Sequence, residues 1–360
     1  MVPNEHRIEK VANMTREMNS VGVTIKDIAK MCDVSITTVS RVVNGRKEGV
    51  GPKTRQRILN AIQTSGYQPN PIARSMITKK TNTVALVIPD ICNPFFAELV
   101  RGVGDACAEA GYHLFLSNTD GSVEEERDQV QFLREHLVDG IMITTQNTRE
   151  DNALIEGFLA EGYPFVVVER YVDNLAVPLQ VTIDNRDGIS KLVTYLVERG
   201  HKKIAYICGP KDATNANQRF EGYKAGLAKH SIAFDPTLCS PGDYKMQSGY
   251  DGVKRLIQQG TSFTAIIAAN DLMAIGACNA IADAGLLVPE DISVAGFDNL
   301  PLTGMIHPRI TTAGVSINQL GRTAAELLCQ RLAGDKKERH IFMECDIVVR
   351  KSIRDIRESK

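Results

Sequence analysis

From residue 83 onward, short apolar runs alternate with amphipathic stretches, and this alternation constrains the fold more than any other feature of the chain. The runs are TVALVIPD, YHLFLSNT, DGIMITTQ, PFVVVERY, KIAYICGP, AIIAAND and ISVAGFDN; between them lie segments such as FFAELVRGVGDACAEAG and GISKLVTYLVERG. Runs this short and rich in Val and Ile predict strands buried on both faces, and the 3.6-residue periodicity between them predicts covering helices. Strand alternating with helix predicts an α/β fold of parallel sheets with helices on both sides. Seven such strands over roughly 270 residues suit two doubly wound lobes better than a single sheet.

In open sheets of this kind ligands bind beyond the carboxyl ends of the strands. In the first half those ends present Asp90, Asn93, Phe95, Phe96, Asn118, Asp120, Gln146, Glu169 and Arg170. In the second half they present Asn215, Asn217, Arg219, Asn270, Asp271, Asp298 and Asn299. Each taken singly is as well explained by a turn or a helix cap. As a converging set, carboxylates, amides and guanidinium groups around aromatic rings suit a polyhydroxylated ligand, whose hydroxyls they bond and whose apolar face they cover.

The N-terminal part differs in charge and pattern. Residues 1–80 hold 14 Lys and Arg against 6 Asp and Glu, whereas the remainder holds 28 against 37. A basic head on an acidic body predicts a polyanionic partner for the head alone. Within it, VTIKDIAKMCDVSITTVSRVVNG reads as two short helices and a tight turn. Thr24 caps the first helix, with Asp27 completing a capping box, and Ile25, Ile28 and Ala29 form its apolar face. Asp33 stands where the turn needs a left-handed residue. Ser35 caps the second helix, which turns Val39, Val42 and Val43 inward and leaves Ile36, Thr37, Ser40 and Arg41 outside, the equipment for reading base edges in a major groove. A third helix begins at Gly51-Pro52, with Ile58, Leu59 and Ile62 expected inward and its basic residues toward phosphates. Double-stranded DNA is the expected partner.

Other classes of function find little footing. GVGDACAEAG opens with G-x-G, but Gly102 and Gly104 fall inside a helix and Cys107 occupies the third-glycine place, so no dinucleotide fingerprint is present. The seven histidines are dispersed, the eight cysteines include no C-x-x-C pair, and no P-loop, H-E-x-x-H or G-x-S-x-G occurs. No catalytic residue, cofactor or metal is therefore expected. A sugar-processing enzyme using Asp298 and Glu169 as paired carboxylates is an alternative that leaves the basic head unexplained. The absence of a membrane-length apolar stretch and of a leader-like N-terminus, with cysteines in apolar contexts, predicts a cytoplasmic protein without membrane contact.

AKMCDVSITTVSRVVNG followed by GYQPNPIARSM closely resembles the lactose/galactose-repressor (LacI/GalR) family of bacterial transcription regulators. The likeness continues through NPFFAELVRG, VDGIM, ERGHKKIAYICGP, RFEGYKAGL, ANDLMAIGA, VPEDISVAGFDN and HPRITT, from Val23 to about Ser352. It implies a three-helix helix-turn-helix head over 23–69 and a hinge helix over 70–80. Two doubly wound, Rossmann-like lobes then follow, resembling a periplasmic sugar-binding protein: 83–183 with 315–345, and 184–314 with 346–353. Residues 1–22 have no counterpart in the family and are expected to be disordered. Asp33 replaces the family's usual glycine, and the loop RKEGVG is one residue longer than usual.

The resemblance implies a repressor that binds a pseudopalindromic operator as a homodimer and clamps a small effector, a sugar or sugar derivative, between its lobes. Ile36, Thr37, Ser40 and Arg41 would meet bases, and Thr24, Ser35, Thr38 and Asn44 the phosphate backbone. Ala73, Arg74 and Met76 would belong to the hinge helix, Met76 as a wedge between base steps. Effector contacts would come from Asp90, Phe95 and Phe96 on the first lobe, to which the strand ends add Glu169. On the second they would come from Asn217, Arg219, Tyr244, Asn270 and Asp298, with Arg219 and Asp298 facing each other across one hydroxylated ring. A nucleoside or purine effector is the alternative, but Ala213 stands where purine-binding members place an arginine. The short tail RDIRESK implies a dimer rather than a tetramer.

Overall fold

The computed structural model describes residues 23–45, 48–68, 80–136, 138–145, 153–172 and 175–357. The chain divides between residues 81 and 82 into two compact units.

The first unit is a three-helix head: α1 (Ile25–Met31), α2 (Ile36–Val43) and α3 (Pro52–Ser65). Its core is built from Ile28, Ala29, Cys32, Val39, Val42, Ile58 and Tyr67, all buried. These positions follow the i, i+3, i+4 spacing that gives each helix one apolar stripe. Leu59 was expected inside and is instead 43% exposed. The inward stripe of α3 is Ile58, Ala61 and Ile62, and a residue directly after Ile58 lies about 100° round the helix from it. The turn between α1 and α2 has Asp33 at φ +45°, the left-handed geometry its position demanded.

The second unit contains two six-stranded sheets. The first has the order β11-β5-β4-β3-β1-β2 and is parallel throughout. It comprises β1 (Thr83–Ile88), β2 (His113–Asn118), β3 (Gly140–Ile143), β4 (Phe165–Glu169), β5 (Leu179–Ile183) and β11 (Arg339–Met343). The second has the order β12-β10-β9-β8-β6-β7, parallel except for the antiparallel edge strand β12. Its members are β6 (Ile204–Ile207), β7 (Cys239–Ser240), β8 (Ala265–Ala268), β9 (Ser293–Phe297), β10 (Thr311–Gly314) and β12 (Asp346–Val348). Seven strands coincide with the apolar runs of the sequence; β5, β7, β10, β11 and β12 were not anticipated. The chain crosses between sheets three times, after β5, after β10 and after β11.

Helices α4 (Pro94–Glu109), α5 (Val123–Glu135), α6 (Ala153–Glu161) and α11 (Ile317–Leu332) belong with the first sheet; α7 (Asn185–Val197), α8 (Thr214–Lys229), α9 (Met246–Gln258) and α10 (Asp271–Asp283) belong with the second. Helix pairs approach through glycine. A Cβ on Gly102 would fall 2.0 Å from the Asn318 carbonyl oxygen, and one on Gly276 would fall 1.9 Å from that of Met246. The first glycine of GVGDACAEAG therefore serves helix packing, with α4 pressed against α11.

Candidate DNA interface and effector cleft

In the head, the Thr24 amide and hydroxyl both donate to the Asp27 carboxylate, at 3.0 and 2.6 Å. Ser35 caps α2 by accepting from the Thr38 amide at 3.2 Å, and its hydroxyl pairs with that of Thr38 at 2.8 Å. At the other end of the helix, Asn44 Nδ2 donates to the Ser40 carbonyl at 2.9 Å. Burying Val39 and Val42 leaves Ile36, Thr37 and Arg41 exposed and Ser40 half-buried, with Ile36 44% exposed despite being apolar. Gly49, at φ +78°, keeps the loop after α2 clear of Arg41, whose Nη1 would lie 2.8 Å from a Cβ there. One helix end thus offers a short apolar group, hydroxyls and a guanidinium fork to a groove, while the capping side chains fix its start. Ala73, Arg74 and Met76 lie outside the described residues, as does Gln146.

The body brings the two rows of strand ends together around one small cavity. Asn93, Phe95, Phe96, Glu169 and Arg170 line it from the first lobe; Asn215, Arg219, Tyr244, Asn270 and Asp298 line it from the second. The space between these side chains is about 40 Å³, room for roughly two or three waters. Phe95 and Phe96 follow Pro94 at the start of α4 and meet edge to face, with ring centroids 5.2 Å apart.

Arg219 is the hub. It projects from α8, is 2% exposed, and donates through Nε to Asn185 Oδ1 at 2.8 Å and through Nη1 to the Ala269 carbonyl at 2.6 Å. Its Nη2 lies 3.1 Å from Asp298 Oδ1 and 4.0 Å from Glu169 Oε1, and its guanidinium stands 4.1 Å over the Phe297 ring. Burial works against the arginine's charge, but Asp298, Tyr244 and Glu169 more than offset it and hold its pKa above the usual value. Burial likewise pushes the Asp298 carboxyl up to about 7; Arg219 pulls it down and Glu169 raises it. Behind it, Asp271 is raised by burial first and by Asp298 second. It accepts from the Leu300 amide at 2.7 Å and from the Thr312 hydroxyl at 2.6 Å.

Glu169 reaches across the cleft: Asn215 Nδ2 donates to its Oε1, and Arg170 Nε lies 3.5 Å from its Oε2. Arg170 also donates to the Thr145 carbonyl at 3.0 Å. On the far side, the Tyr244 hydroxyl donates to Asn215 Oδ1 at 3.2 Å, and Asn270 Nδ2 donates to the Tyr244 carbonyl at 3.0 Å. A Cβ on Gly209 would sit 2.8 Å from the Tyr244 ring, so the ring packs where only a glycine leaves room. Three lining residues, Glu169, Tyr244 and Asp298, have positive φ, at +69°, +69° and +114°. Such backbone costs about 1–3 kcal/mol per residue and concentrates at ligand sites.

Residues 24–70 match the model of bacterial regulatory proteins of the lacI family, and residues 193–353 match a periplasmic binding protein-like domain. The HTH-type transcriptional repressor PurR of Aliivibrio salmonicida is 33% identical over 332 residues, which are 92% of this chain and 98% of that protein. The chain belongs to the lacI family of bacterial regulatory proteins. Solved structures of family members carry the same likeness. The lac repressor dimer bound to operator and the anti-inducer ONPF aligns with a TM-score of 0.84 at 27% identity, over 92% of this chain and 99% of that one. The complex of the transcriptional regulator CelR with cellobiose aligns at 0.69 and 32% identity, with the same coverage.

Not every residue expected in the family's effector site lies at the cleft. Phe95, Phe96, Glu169, Arg219, Tyr244, Asn270 and Asp298 line it; Asp90 and Asn217 do not. Asp90 accepts from the Cys92 amide at 2.9 Å in the turn after β1. Asn217 is exposed and donates to the Lys211 carbonyl at 3.0 Å. On α8, Asn215 shares the face of Arg219 four residues on, whereas Asn217 points roughly 160–200° away from both. Arg219 and Asp298, expected on either side of a ring, form a direct ion pair on one lobe. Asn93, Arg170 and Asn215 are lining residues that the family pattern passed over but the strand ends had marked. Asn118, Asp120, Asp271 and Asn299 serve the fold, Asn118 by accepting from the Ile91 amide and Asn299 by accepting from Arg350.

Proposed function

We propose that the protein is a transcriptional repressor that binds a two-fold-symmetric operator as a homodimer and is controlled by a sugar or sugar derivative held between the lobes of its body. The cleft carries this reading. Hydrogen-bonding groups of both signs and an aromatic pair converge from two lobes onto one enclosed point, the arrangement that grips hydroxylated rings. The complex of CelR with cellobiose, in a relative of the same coverage, supports a sugar. Ala213, buried at the start of α8, supplies no side-chain donor where a purine ring would call for one.

In the head, Ile36, Thr37, Ser40 and Arg41 read bases, and Thr24, Ser35, Thr38 and Asn44 meet or orient phosphates. Edge strand β2 supports the dimer: Phe115 and Leu116 are 57% and 38% exposed, and Ile91 beside it 51%. An apolar sheet edge of that kind is normally covered, and a second copy of the chain covers it here. Two-fold protein symmetry then asks for two half-sites. The effector acts through its difference in affinity for two lobe arrangements, which permits induction or co-repression alike.

Selection of genomic fragments by the purified protein, followed by footprinting with and without a panel of sugars, tests the reading. A symmetric protected site whose occupancy changes with one sugar is expected. Failure to retain any fragment under either condition removes the regulator, and turnover of a sugar would put an enzyme in its place.

A further inference from the structure

Two carboxylate oxygens in the cleft receive no hydrogen bond among the described residues, and they come from opposite lobes. Glu169 Oε1 is taken by Asn215, but Oε2 is buried with only the Arg170 Nε charge beside it, at 3.5 Å and without a hydrogen bond. Asp298 Oδ1 is buried too, and its near neighbour is the Arg219 Nη2 charge at 3.1 Å. Leaving a buried acceptor unsatisfied costs about 1–3 kcal/mol, and more for a charged one. Native proteins keep few such groups.

We propose that the cleft takes a neutral, hydroxyl-rich ligand that donates to both oxygens, and that Glu169 is the residue that turns away sugar phosphates and sugar acids. The proposal rests on reading the cleft as the effector site and narrows the class of effector. Two guanidinium groups and two carboxyl groups already face one another there. Arg219 has given Nε and Nη1 to Asn185 and Ala269 and turns Nη2 to the carboxylates, and Arg170 has given Nη1 to Thr145. A third anion would meet Glu169 and Asp298 at short range with both guanidinium groups engaged. Burial first, and the Glu169 charge after it, raise Asp298 to about 7. Hydroxyl donors, by contrast, supply what both oxygens lack. The cavity of about 40 Å³ is too small for a sugar ring, so an entering ligand also takes over the Glu169–Asn215 contact that closes the two lobes on each other.

Matched probes test this on the full-length protein by thermal shift and calorimetry: glucose, glucose 6-phosphate and gluconate; ribose and ribose 5-phosphate; galactose and galacturonate. The wild type is expected to respond to no anionic probe. In Glu169→Gln, at least one anionic probe gains affinity on the order of 100-fold relative to its neutral counterpart, the effect of lifting a like charge about 5 Å away at an effective dielectric of about 20. Glu169→Asp keeps the charge, retains the rejection and controls for folding. A wild-type response to any anionic probe equal to or above that of its neutral counterpart overturns the proposal, and so does a Glu169→Gln protein that gains no anionic response at all. Arg219→Met separates this from failure of the site itself: a neutral-sugar response that survives the substitution places the ligand elsewhere.

Discussion

Replacing Arg219 by methionine keeps an unbranched apolar stem and removes a cation that faces both Asp298 and Glu169. Removing one partner of a buried ion pair costs about 3–5 kcal/mol, because the remaining carboxylate stays dry and uncompensated. The cost depends on pH. With Arg219 present, Asp298 titrates near 7 against a reference of 3.8. The folded protein therefore binds the extra proton between those values, so the group's contribution to stability is full below about pH 4 and is lost as pH rises through 7. Without the guanidinium, the pKa climbs further, and each added unit enlarges the penalty above it by about 1.4 kcal/mol. At pH 5 Asp298 is mostly neutral in both proteins, and the penalty shrinks to the two lost hydrogen bonds, about 1–3 kcal/mol, and the longer contact with Glu169. Urea unfolding of both proteins at pH 5 and pH 8 measures the difference. A penalty equal at the two pH values, or one below about 1 kcal/mol at pH 8, would mean that Arg219 does not compensate the Asp298 charge.

Gly276→Ala pushes a methyl group to 1.9 Å from the Met246 carbonyl oxygen, forcing α9 and α10 apart; it should cost about 1–3 kcal/mol by calorimetry. Gly157→Ala in α6, with nothing near the new Cβ, should stay within about 0.5 kcal/mol of the wild type or gain slightly. Arg41→Ala should weaken operator binding by about 1–3 kcal/mol and relax preference at one base position; a uniform loss across sequences, seen by binding-site selection, would make it a phosphate contact instead. His201 is buried, hydrogen-bonded to the Thr264 hydroxyl and the Arg354 carbonyl, and its pKa is lowered by burial. Its contribution is therefore complete above the unfolded value of about 6.5 and declines as pH falls toward the folded one. His201→Gln should flatten that part of the stability profile.

The strands announced by unbroken apolar runs were legible because burial on both faces leaves no polar alternation. Strands β5 and β10 are just as buried, yet LQVTI and TTAG carry polar residues whose partners are tertiary. The Gln180 amide exchanges two hydrogen bonds with the backbone of Val172, and Thr312 donates to Asp271. No local pattern reports such compensation. Strand β11 is half-exposed and reads like a surface segment, and β7 has two residues. At the cleft, Arg219 and Asp298 were legible as charged groups at element starts and ends. The choice between Asn215 and Asn217 was not, since only the phase of α8 separates them. That helix starts after Ala213 with no side-chain cap to mark it.

A ligand in the Arg219–Asp298 cleft is expected to govern the head's hold on DNA. Operator affinity, measured by fluorescence anisotropy with and without the neutral sugar that stabilises the wild type, tests it in one experiment when run on wild type and Arg219→Met together. A sugar-dependent change of at least about 5-fold is expected in the wild type, the lower end of ordinary allosteric coupling, and none in the variant. An equal change in both proteins, or no change in either, would contradict it.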